Sequence, residues 1–176
     1  MHSSLASRFI GILIFLAALL SSLPTPATPS PSVKIAVFDF ELKDVSAAGA
    51  AAMSDNVGDS MRMHAVTDEA RRVLAQSGRY SIIDTNGLDA QPVKDKSLRN
   101  CDGCDAAIAL KLGAERSLIG VVTRVAKTEY YVSLRITDTG TGKVVNEQTA
   151  FFTGADDAWA SGVRMLLKHG VLADEK

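Results

Sequence analysis

The sequence predicts an α/β (α+β) domain, with a single mixed β-sheet and helices packed on it, in the order β-α-β-α-β-β-β-α. Two observations point to this fold class. A strand, an amphipathic helix and a second strand follow one another between residues 33 and 84, which is the pattern of a parallel βαβ unit. Three consecutive strands then lie between residues 116 and 152, as in an antiparallel meander, and an amphipathic helix follows them.

The first 27 residues have the three parts of a cleavable secretory signal. Met1–Arg8 carries one positive charge and no acid, and Phe9–Leu20 is an uninterrupted apolar run. That run is shorter than the ~20 residues that a membrane-spanning helix needs. Thr25–Ala27 offers small residues at the positions that a signal peptidase reads, so we expect cleavage after Ala27. The alternative is an uncleaved membrane anchor with a stiff proline-rich spacer behind it.

Cleavage at this point would leave one domain large enough to build its own core. We expect a proline-rich leader at 28–32, the domain at 33–172 and a tail at 173–176. Lys and Arg number 19 against 20 Asp and Glu, and they are scattered along the chain, which disfavours a nucleic-acid binder. The mature chain has no other apolar run long enough to span a membrane. The expected location is therefore the periplasm.

The first half of the domain reads as strand, loop, helix and strand. Val33–Phe40 is rich in β-branched and aromatic residues and predicts a buried strand. Glu41–Ser54, rich in Ala, Gly and Ser, predicts a loop, although AGAAAM within it could extend the following helix backwards. Asp55–Ser77 predicts a helix that ends at Gly78, and Tyr80–Asp84 predicts a short second strand. The apolar residues of the helix at three- and four-residue spacings are Met61, Ala65, Ala70, Val73 and Leu74.

A polar segment, Thr85–Arg99, separates this unit from a second helix. Gly87 and Pro92 interrupt the segment and predict irregular structure. Asp105–Leu112 then predicts the short second helix, which Gly113 ends.

The second half predicts a three-stranded meander and a last helix. The predicted strands are Arg116–Ala126, Glu129–Asp138 and Lys143–Phe152, and the glycines of the segment 139–142 favour a tight turn between the last two. Asp156 starts the last helix. Its apolar stripe consists of Trp159, Val163, Leu166 and Leu167.

Several separated segments resemble known envelope proteins. VKIAVFDFEL, SGRYSIID, LGAERSLIGVV and LRITDTGTGKVV resemble the amino-terminal domain of TolB and the core of CsgG-like proteins. Together with CDGCDAAIALKLGA and GADDAWASGVRMLL, they resemble an uncharacterised family of small exported bacterial proteins, a domain of unknown function. The resemblance covers about Val33–Leu172. It implies a mixed sheet and contacts with other envelope proteins, but no specific activity, because fold analogy alone does not carry function.

The two cysteines, Cys101 and Cys104, form a C-x-x-C pair. In an exported protein we expect a structural disulfide between them. A pair of this spacing at a helix start can also exchange disulfides. Asp102 and Asp105 disfavour the thiolate that such exchange needs, and no proline follows the pair. Thiol-disulfide chemistry is therefore the alternative.

No metal, cofactor or catalytic site is predicted. Tetrahedral zinc needs four ligands, the cysteines supply two, and His64 and His169 stand at no recognisable ligand spacing. The sequence contains no G-x-S-x-G, no H-E-x-x-H and no phosphate-binding glycine loop. The domain is therefore expected not to be an enzyme.

Three aspartates follow the first two predicted strands. Asp39 and Asp84 end the strands, and Asp44 comes shortly after the first of them. Ligands of open α/β sheets often bind at the carboxyl ends of parallel strands, so these carboxylates could bind a cation or a polar small molecule. The alternative is that they cap their own turns.

The aromatic residues suggest one core anchor and one contact point. Trp159 is expected in the core, whereas Tyr130 and Tyr131 lie on opposite faces of one strand, which should expose one of them. The leading hypothesis is a non-enzymatic periplasmic domain that binds or assists another envelope protein. The alternatives are an accessory thiol-disulfide protein and a small-ligand or cation binder.

Overall fold

The computed structural model describes residues 32–51, 57–85 and 97–174. The predicted signal and its cleavage point, most of the leader, Gly87, Pro92 and the last residues of the tail lie outside the described residues. Six strands are present in the described part: β1 (Val33–Val37), β2 (Glu41–Asp44), β3 (Tyr80–Ile83), β4 (Arg116–Ala126), β5 (Glu129–Asp138) and β6 (Val144–Thr153).

Four helices of the described part pack on these strands. They are α1 (Ala47–Ala51), α2 (Val57–Gln76), α3 (Cys104–Lys111) and α4 (Trp159–Leu166). Short 3₁₀ turns at Leu98–Asn100 and Asp156–Ala158 precede α3 and α4. After α4 the chain continues through a π turn, Leu167–Val171, into a last helical turn at Leu172–Asp174. None of the helices described is long and apolar enough to cross a membrane.

The strands form one mixed sheet in the order β3-β1-β4-β5-β6, with β2 also pairing with β4. β1 is parallel to β3 and to β4, whereas β4, β5 and β6 are antiparallel neighbours. This arrangement confirms the predicted fold class, including the βαβ unit and the meander. The bounds of β4 and β5 are as predicted, and those of β6 differ by one residue.

The predicted loop at Glu41–Ser54 is wrong, because it contains both β2 and α1. β1 and β2 lie one after the other along β4, with Val37 opposite Leu118 and Glu41 opposite Val121. Between these two pairs, the three residues 38–40 that connect β1 to β2 lie opposite only two residues of β4, as in a β-bulge. The sequence of β2, ELKD, is too polar to signal a strand by itself, and its pairing with β4 is what makes it one.

Because of the extra residue, odd-numbered side chains of β1 but even-numbered side chains of β2 face helices α2 and α4. Ile35 and Val37 of β1 belong to the main core, and so do the even-numbered Phe40 and, at its margin, Leu42. Phe38 instead points into the smaller core on the other side of the sheet. The bulge therefore allows one stretch of chain to serve both cores.

Helices α2 and α4 cover one face of the sheet and enclose the main core. The predicted stripe of α4 is confirmed, since Trp159, Val163, Leu166 and Leu167 are all buried. In α2 the prediction is right for Ala70, Val73 and Leu74 and wrong for Met61 and Ala65, which are exposed. In the first half of α2 the buried residues are instead Met63, Val66 and Thr67.

The opposite face of the sheet is only partly covered. There α3 and the Leu98 turn enclose a smaller core formed by Ala36, Phe38, Leu98, Ala109, Ala114 and Ile119. These residues lie over β1 and the first half of β4. The second half of β4, together with β5 and β6, carries no described helix on this side.

Gly120 marks the tightest approach within the sheet. A Cβ added there would overlap the buried Phe40 ring. Because β4 is central and the ring is enclosed in the main core, neither group can move away easily. The residue at position 120 therefore has to lack a side chain.

We expect Gly120→Ala to lower the free energy of unfolding by about 1–3 kcal/mol, the usual cost of overpacking a core. Gly140→Ala is the matched control, because its Cβ would meet only Asp138 Oδ1 at 3.5 Å in an exposed turn. Urea denaturation followed by circular dichroism measures both variants. Equal midpoints for the two variants would show that the Phe40 contact is not restrictive.

Candidate functional site

The uncovered part of the sheet is a surface on which no described helix packs. We call it the open face, and it consists of Val121, Thr123, Tyr131, Ser133, Arg135, Glu147, Thr149 and Phe151. The alternation along β5 produces it, because Tyr130, Val132, Leu134 and Ile136 point into the main core and their neighbours point the other way.

Two aromatic rings stand at one end of the open face. Tyr131 of β5 lies opposite Phe151 of β6, and their ring centroids are 5.2 Å apart with the planes tilted by 60°. Their exposed fractions are 41% and 48%. The prediction that one of the two neighbouring tyrosines is exposed is thus confirmed for Tyr131. Tyr130 is buried and donates a hydrogen bond to the Ala158 carbonyl at 3.0 Å.

Beside the aromatic pair the open face has a shallow depression of about 160 Å³, with a mixed lining. Val121 and Ser133 form part of its floor, and Arg99, Arg135 and Glu147 stand around it. Cross-strand neighbours supply two of these charges, because Arg135 is opposite Glu147 in the β5–β6 ladder. The face thus combines an aromatic pair at one end with charges of both signs at the other.

Arg99 is held in place by a glutamate on β2. Its guanidinium donates to Glu41 Oε2 at 2.8 Å, and Ser97 Oγ donates to the same oxygen at 2.6 Å. Glu41 belongs to β2, so these bonds fix the chain just before the cysteine pair against the sheet. Sequence reasoning did not find Glu41 as an anchor, because its partners are more than 50 residues away.

A fully buried carboxylate lies where α3 meets the sheet. Asp105 is 0% exposed, and its Oδ2 accepts a hydrogen bond from Ser117 Oγ at 2.6 Å. Its Oδ1 lies 3.6 Å from an Arg135 guanidinium nitrogen. Asp105 also stands in the first turn of α3, where the helix dipole favours a negative charge. It therefore anchors α3 to β4 and β5.

Cys101 and Cys104 are joined by a disulfide, with their Cα atoms 5.6 Å apart. Cys104 begins α3, and Gly103 before it adopts a left-handed conformation with φ 78°. Both cysteines are half-buried and pack against the smaller core. The pair thus holds the Leu98 turn next to the start of α3.

The other residues considered from the sequence are dispersed. Among the described residues no group of three His, Cys, Asp or Glu side chains is placed to hold a metal ion. His64 on α2 and His169 after α4 are both exposed.

The three predicted ligand aspartates do not form one cluster of free carboxylates. Asp39 pairs with Arg71 at 3.1 Å, and the same guanidinium donates to the Val37 carbonyl and to Thr85. Asp84 is exposed at the end of β3, near this group. Asp44 pairs instead with an arginine on β4. Ligand binding by these residues stays a prediction.

The arginine that binds Asp44 is Arg124, the centre of a cluster of charges. Its guanidinium lies 2.7 Å from Asp44, 2.7 Å from Asp59 of α2 and 3.1 Å from Asp156 before α4. The carbon of the guanidinium stands 4.8 Å from the centre of the Trp159 ring, in cation–π geometry. One side chain thus connects β2, α2, β4 and the start of α4.

The cluster fixes its own protonation states. Partial burial by itself would lower the pKa of Arg124, but the hydrogen bonds with Asp59 and Asp44 and the charge of Asp156 outweigh it and raise the pKa. Burial would raise the pKa of Asp44, yet the hydrogen bonds from Ser46 and Arg124 hold that pKa below its ordinary value. Arginine and aspartate therefore both stay charged at neutral pH.

Comparison with known proteins gives a family and a fold. Residues 33–171 match the family model described as "Protein of unknown function (DUF2380)". No curated protein matches the chain. The LpoB C-terminal domain from Salmonella enterica is similar in structure, with a TM-score of 0.51 and 15% identity over 70% of this chain and 84% of that one.

Two further solved structures are less similar. TolB from Acinetobacter baumannii has a TM-score of 0.45 and 14% identity, covering 78% of this chain and 27% of TolB. PelC from Paraburkholderia phytofirmans, solved as a dodecamer, has a TM-score of 0.48 and 16% identity, covering 81% of this chain and 91% of that one.

We expect Arg124→Met to destabilise the fold by about 3 kcal/mol at pH 7, because three aspartates then lose their shared cation. The stabilising effect of a carboxylate with a lowered pKa is present above its ordinary pKa, near 3.8, and is lost as pH falls through the lower value. The difference between wild type and Arg124→Met should therefore shrink below about pH 4. Urea titrations at pH 7 and pH 3 measure it.

Arg62→Met is the control for this experiment. Arg62 lies 3.1 Å from Asp59 and 3.9 Å from Asp156, but its side chain is 40% exposed against 14% for Arg124. Exposed ion pairs contribute little, so this variant should behave nearly as wild type. A loss of stability equal to that of Arg124→Met would contradict the central role of Arg124.

Proposed function

The chain belongs to the family described as "Protein of unknown function (DUF2380)", and we propose that it is an exported, non-enzymatic domain that binds another envelope protein. The observation that carries this proposal is the open face with its exposed Tyr131–Phe151 pair. The expected family and the fold are established, and the partner and the location are what we propose.

The composition of the open face supports binding of a protein. Antiparallel sheets often leave one face to solvent, and such a face normally carries polar side chains. Here one end of the face instead presents two aromatic rings with Val121 near them, and Arg135 and Glu147 stand at the other end. Aromatic residues and arginine are enriched in protein interfaces, with polar groups around them.

The rigid mounting of the open face supports the same proposal. The main core backs β5 from Tyr130 to Ile136 and β4 at Leu118 and Val122. Asp105 and Ser117 fix α3 beside the open face, and Glu41 fixes Arg99. A surface held in this way loses little conformational entropy when a partner binds.

The buried charges support a non-enzymatic role. Asp44, Asp59 and Asp156 are engaged by Arg124, and Glu69 of α2 is engaged by Arg72 and Arg164. Hydrogen bonds from Arg72, aided by Arg164, hold the pKa of Glu69 below its ordinary value. These carboxylates are therefore held in ion pairs between helices and strands, where they serve the fold.

The location in the envelope rests on the amino-terminal segment. A charged start, an apolar run and a small-residue exit precede the domain and are typical of an exported protein. A disulfide between Cys101 and Cys104 is consistent with an oxidising compartment.

In-cell photocrosslinking tests the proposed function. The full chain is expressed in cells with a photoreactive phenylalanine in place of Tyr131, and the cells are fractionated after irradiation. We expect an adduct with a distinct envelope protein in the periplasmic fraction, because Tyr131 would lie inside the interface. Phe151→Ser in the same chain should reduce the yield, since it removes the other half of the aromatic pair.

Position 75 is the matched control, because Ala75 is exposed on α2, on the other side of the sheet. The photoreactive residue at position 75 should give no such adduct. Equal adducts from positions 131 and 75, an adduct only with a second copy of the chain, or an adduct only in the cytoplasm would each contradict the proposal.

Thiol-disulfide exchange through Cys101 and Cys104 is the second candidate function. The observation in its favour is that Cys104 begins α3, because a helix amino terminus can lower the pKa of a thiol. We propose the structural role instead, because both cysteines are half-buried against the smaller core and their bond connects the Leu98 turn to α3.

The native cysteine pair should be fully oxidised in the purified protein and should resist mild reductant. Alkylation with and without reductant, followed by mass spectrometry, measures this. Replacing both cysteines with alanine should cost about 2 kcal/mol, the scale for closing a small loop, and should leave the Tyr131 adduct unchanged. Rapid reduction of the native pair under mild conditions would instead support the exchange function.

A further inference from the structure

Strand β6 is a long edge of the sheet, interrupted by one bulge next to Val145 near its start. It pairs with β5 on one side, and no described strand pairs with its other side. Its ten residues include no proline and no lysine, and Glu147 is its one charged residue. Natural sheets usually protect such edges with prolines, lysines or short strands, because an open edge is a template for another strand.

The hydrogen-bond pattern shows which backbone groups β6 offers. Gly154 N–H donates to the Thr128 carbonyl at 2.9 Å, so that pair is of the hydrogen-bonded kind. Alternation along an antiparallel ladder then directs the peptide groups of Glu147, Thr149 and Phe151 away from β5. The close contact of Thr149 Oγ1 with Ser133 Oγ, at 3.0 Å, agrees with this assignment.

We propose that β6 pairs antiparallel with β6 of a second copy of this chain, about a two-fold axis through Gln148. In this register Phe151 lies opposite Val145 of the second copy, and Glu147 lies opposite Thr149 of the second copy. The outward peptide groups of both strands then meet as hydrogen-bonded pairs. The inference goes beyond the proposed function and does not need an envelope partner.

The charges and side chains of β6 favour pairing with a second copy of β6 in this register. An axis through Glu147 would place that carboxylate against its own copy, and like charges directly opposite each other are destabilising. An axis through Thr149 would place Phe151 against Glu147. The axis through Gln148 gives Glu147 a neutral hydroxyl and pairs Phe151 with Val145, which are both about half exposed, whereas an axis through Ala150 would pair Phe151 with Thr149. The strand is thus self-complementary, as a two-fold interface requires.

The pairing would also extend the open face. Val145, Glu147, Thr149 and Phe151 all point to that side of β6, so the open faces of the two copies would continue across the axis. The dimer would present two aromatic pairs on one surface.

Sedimentation equilibrium of the mature protein over a range of concentrations tests the proposal. We expect the wild type to shift from the monomer mass to twice that mass as concentration rises. Thr149→Pro should stay monomeric, because it removes an outward N–H without removing a bond to β5. Thr149→Val keeps that N–H, loses the same hydroxyl and should dimerise as the wild type does.

A wild type that stays monomeric at all concentrations, or a Thr149→Pro variant that dimerises as well as Thr149→Val, would overturn the proposal. Circular dichroism melts establish that both variants fold. A second measurement keeps the test decisive if Thr149→Pro does not fold. In a mixture of Glu147→Cys and Thr149→Cys chains, a short bismaleimide should link unlike copies several-fold faster than like copies, and equal rates would contradict the register.

The two proposals fail separately. A monomeric wild type that still gives the Tyr131 adduct with an envelope protein would contradict the dimer and leave the binding function intact. A dimer whose Tyr131 adduct contains only the second copy would support the dimer and contradict the binding of an envelope protein.

Discussion

The position of Arg124 on β4 is the constraint on which the rest of the structure depends. Its guanidinium is shared by three aspartates from three different elements and lies over the Trp159 ring, so β2, α2 and α4 all converge on it. A half-buried cation of this kind cannot lose its proton to relieve a mismatch. Each of the three elements must therefore deliver its carboxylate to the same corner, which fixes how the helices lie on the sheet.

The unequal covering of the two sheet faces separates stability from recognition. On one side α2 and α4 enclose a core that extends under every long strand. On the other side α3, held by Asp105 and the disulfide, covers only the region near β1 and the start of β4. The open face next to it is therefore supported from behind by a completed core, and its side chains can vary without loss of the fold.

Local pattern was enough to predict the fold class, but not the contacts that position the candidate site. The bounds of β4 and β5 and the stripe of α4 followed from alternation and helical spacing, which act within a few residues. β2 was not predicted, because the polar residues Glu41, Lys43 and Asp44 are typical of a loop and only their pairing with β4 makes them a strand. The alternation predicted that one of Tyr130 and Tyr131 is exposed, but not which. Arg124, Asp105 and Glu41 gain their roles from partners that only the folded chain brings near, and no spacing rule encodes them.

The bulge at 38–40 has a consequence for how this sequence can change over evolutionary time. Three residues there are matched to two on β4, and this count decides that Asp44 rather than Lys43 emerges on the helical side. A conservative exchange of one side chain in the segment leaves the register in place, but removing or adding a single residue would turn β2 over and send Asp44 away from Arg124. We therefore expect evolution to preserve the length of this segment more strictly than its composition.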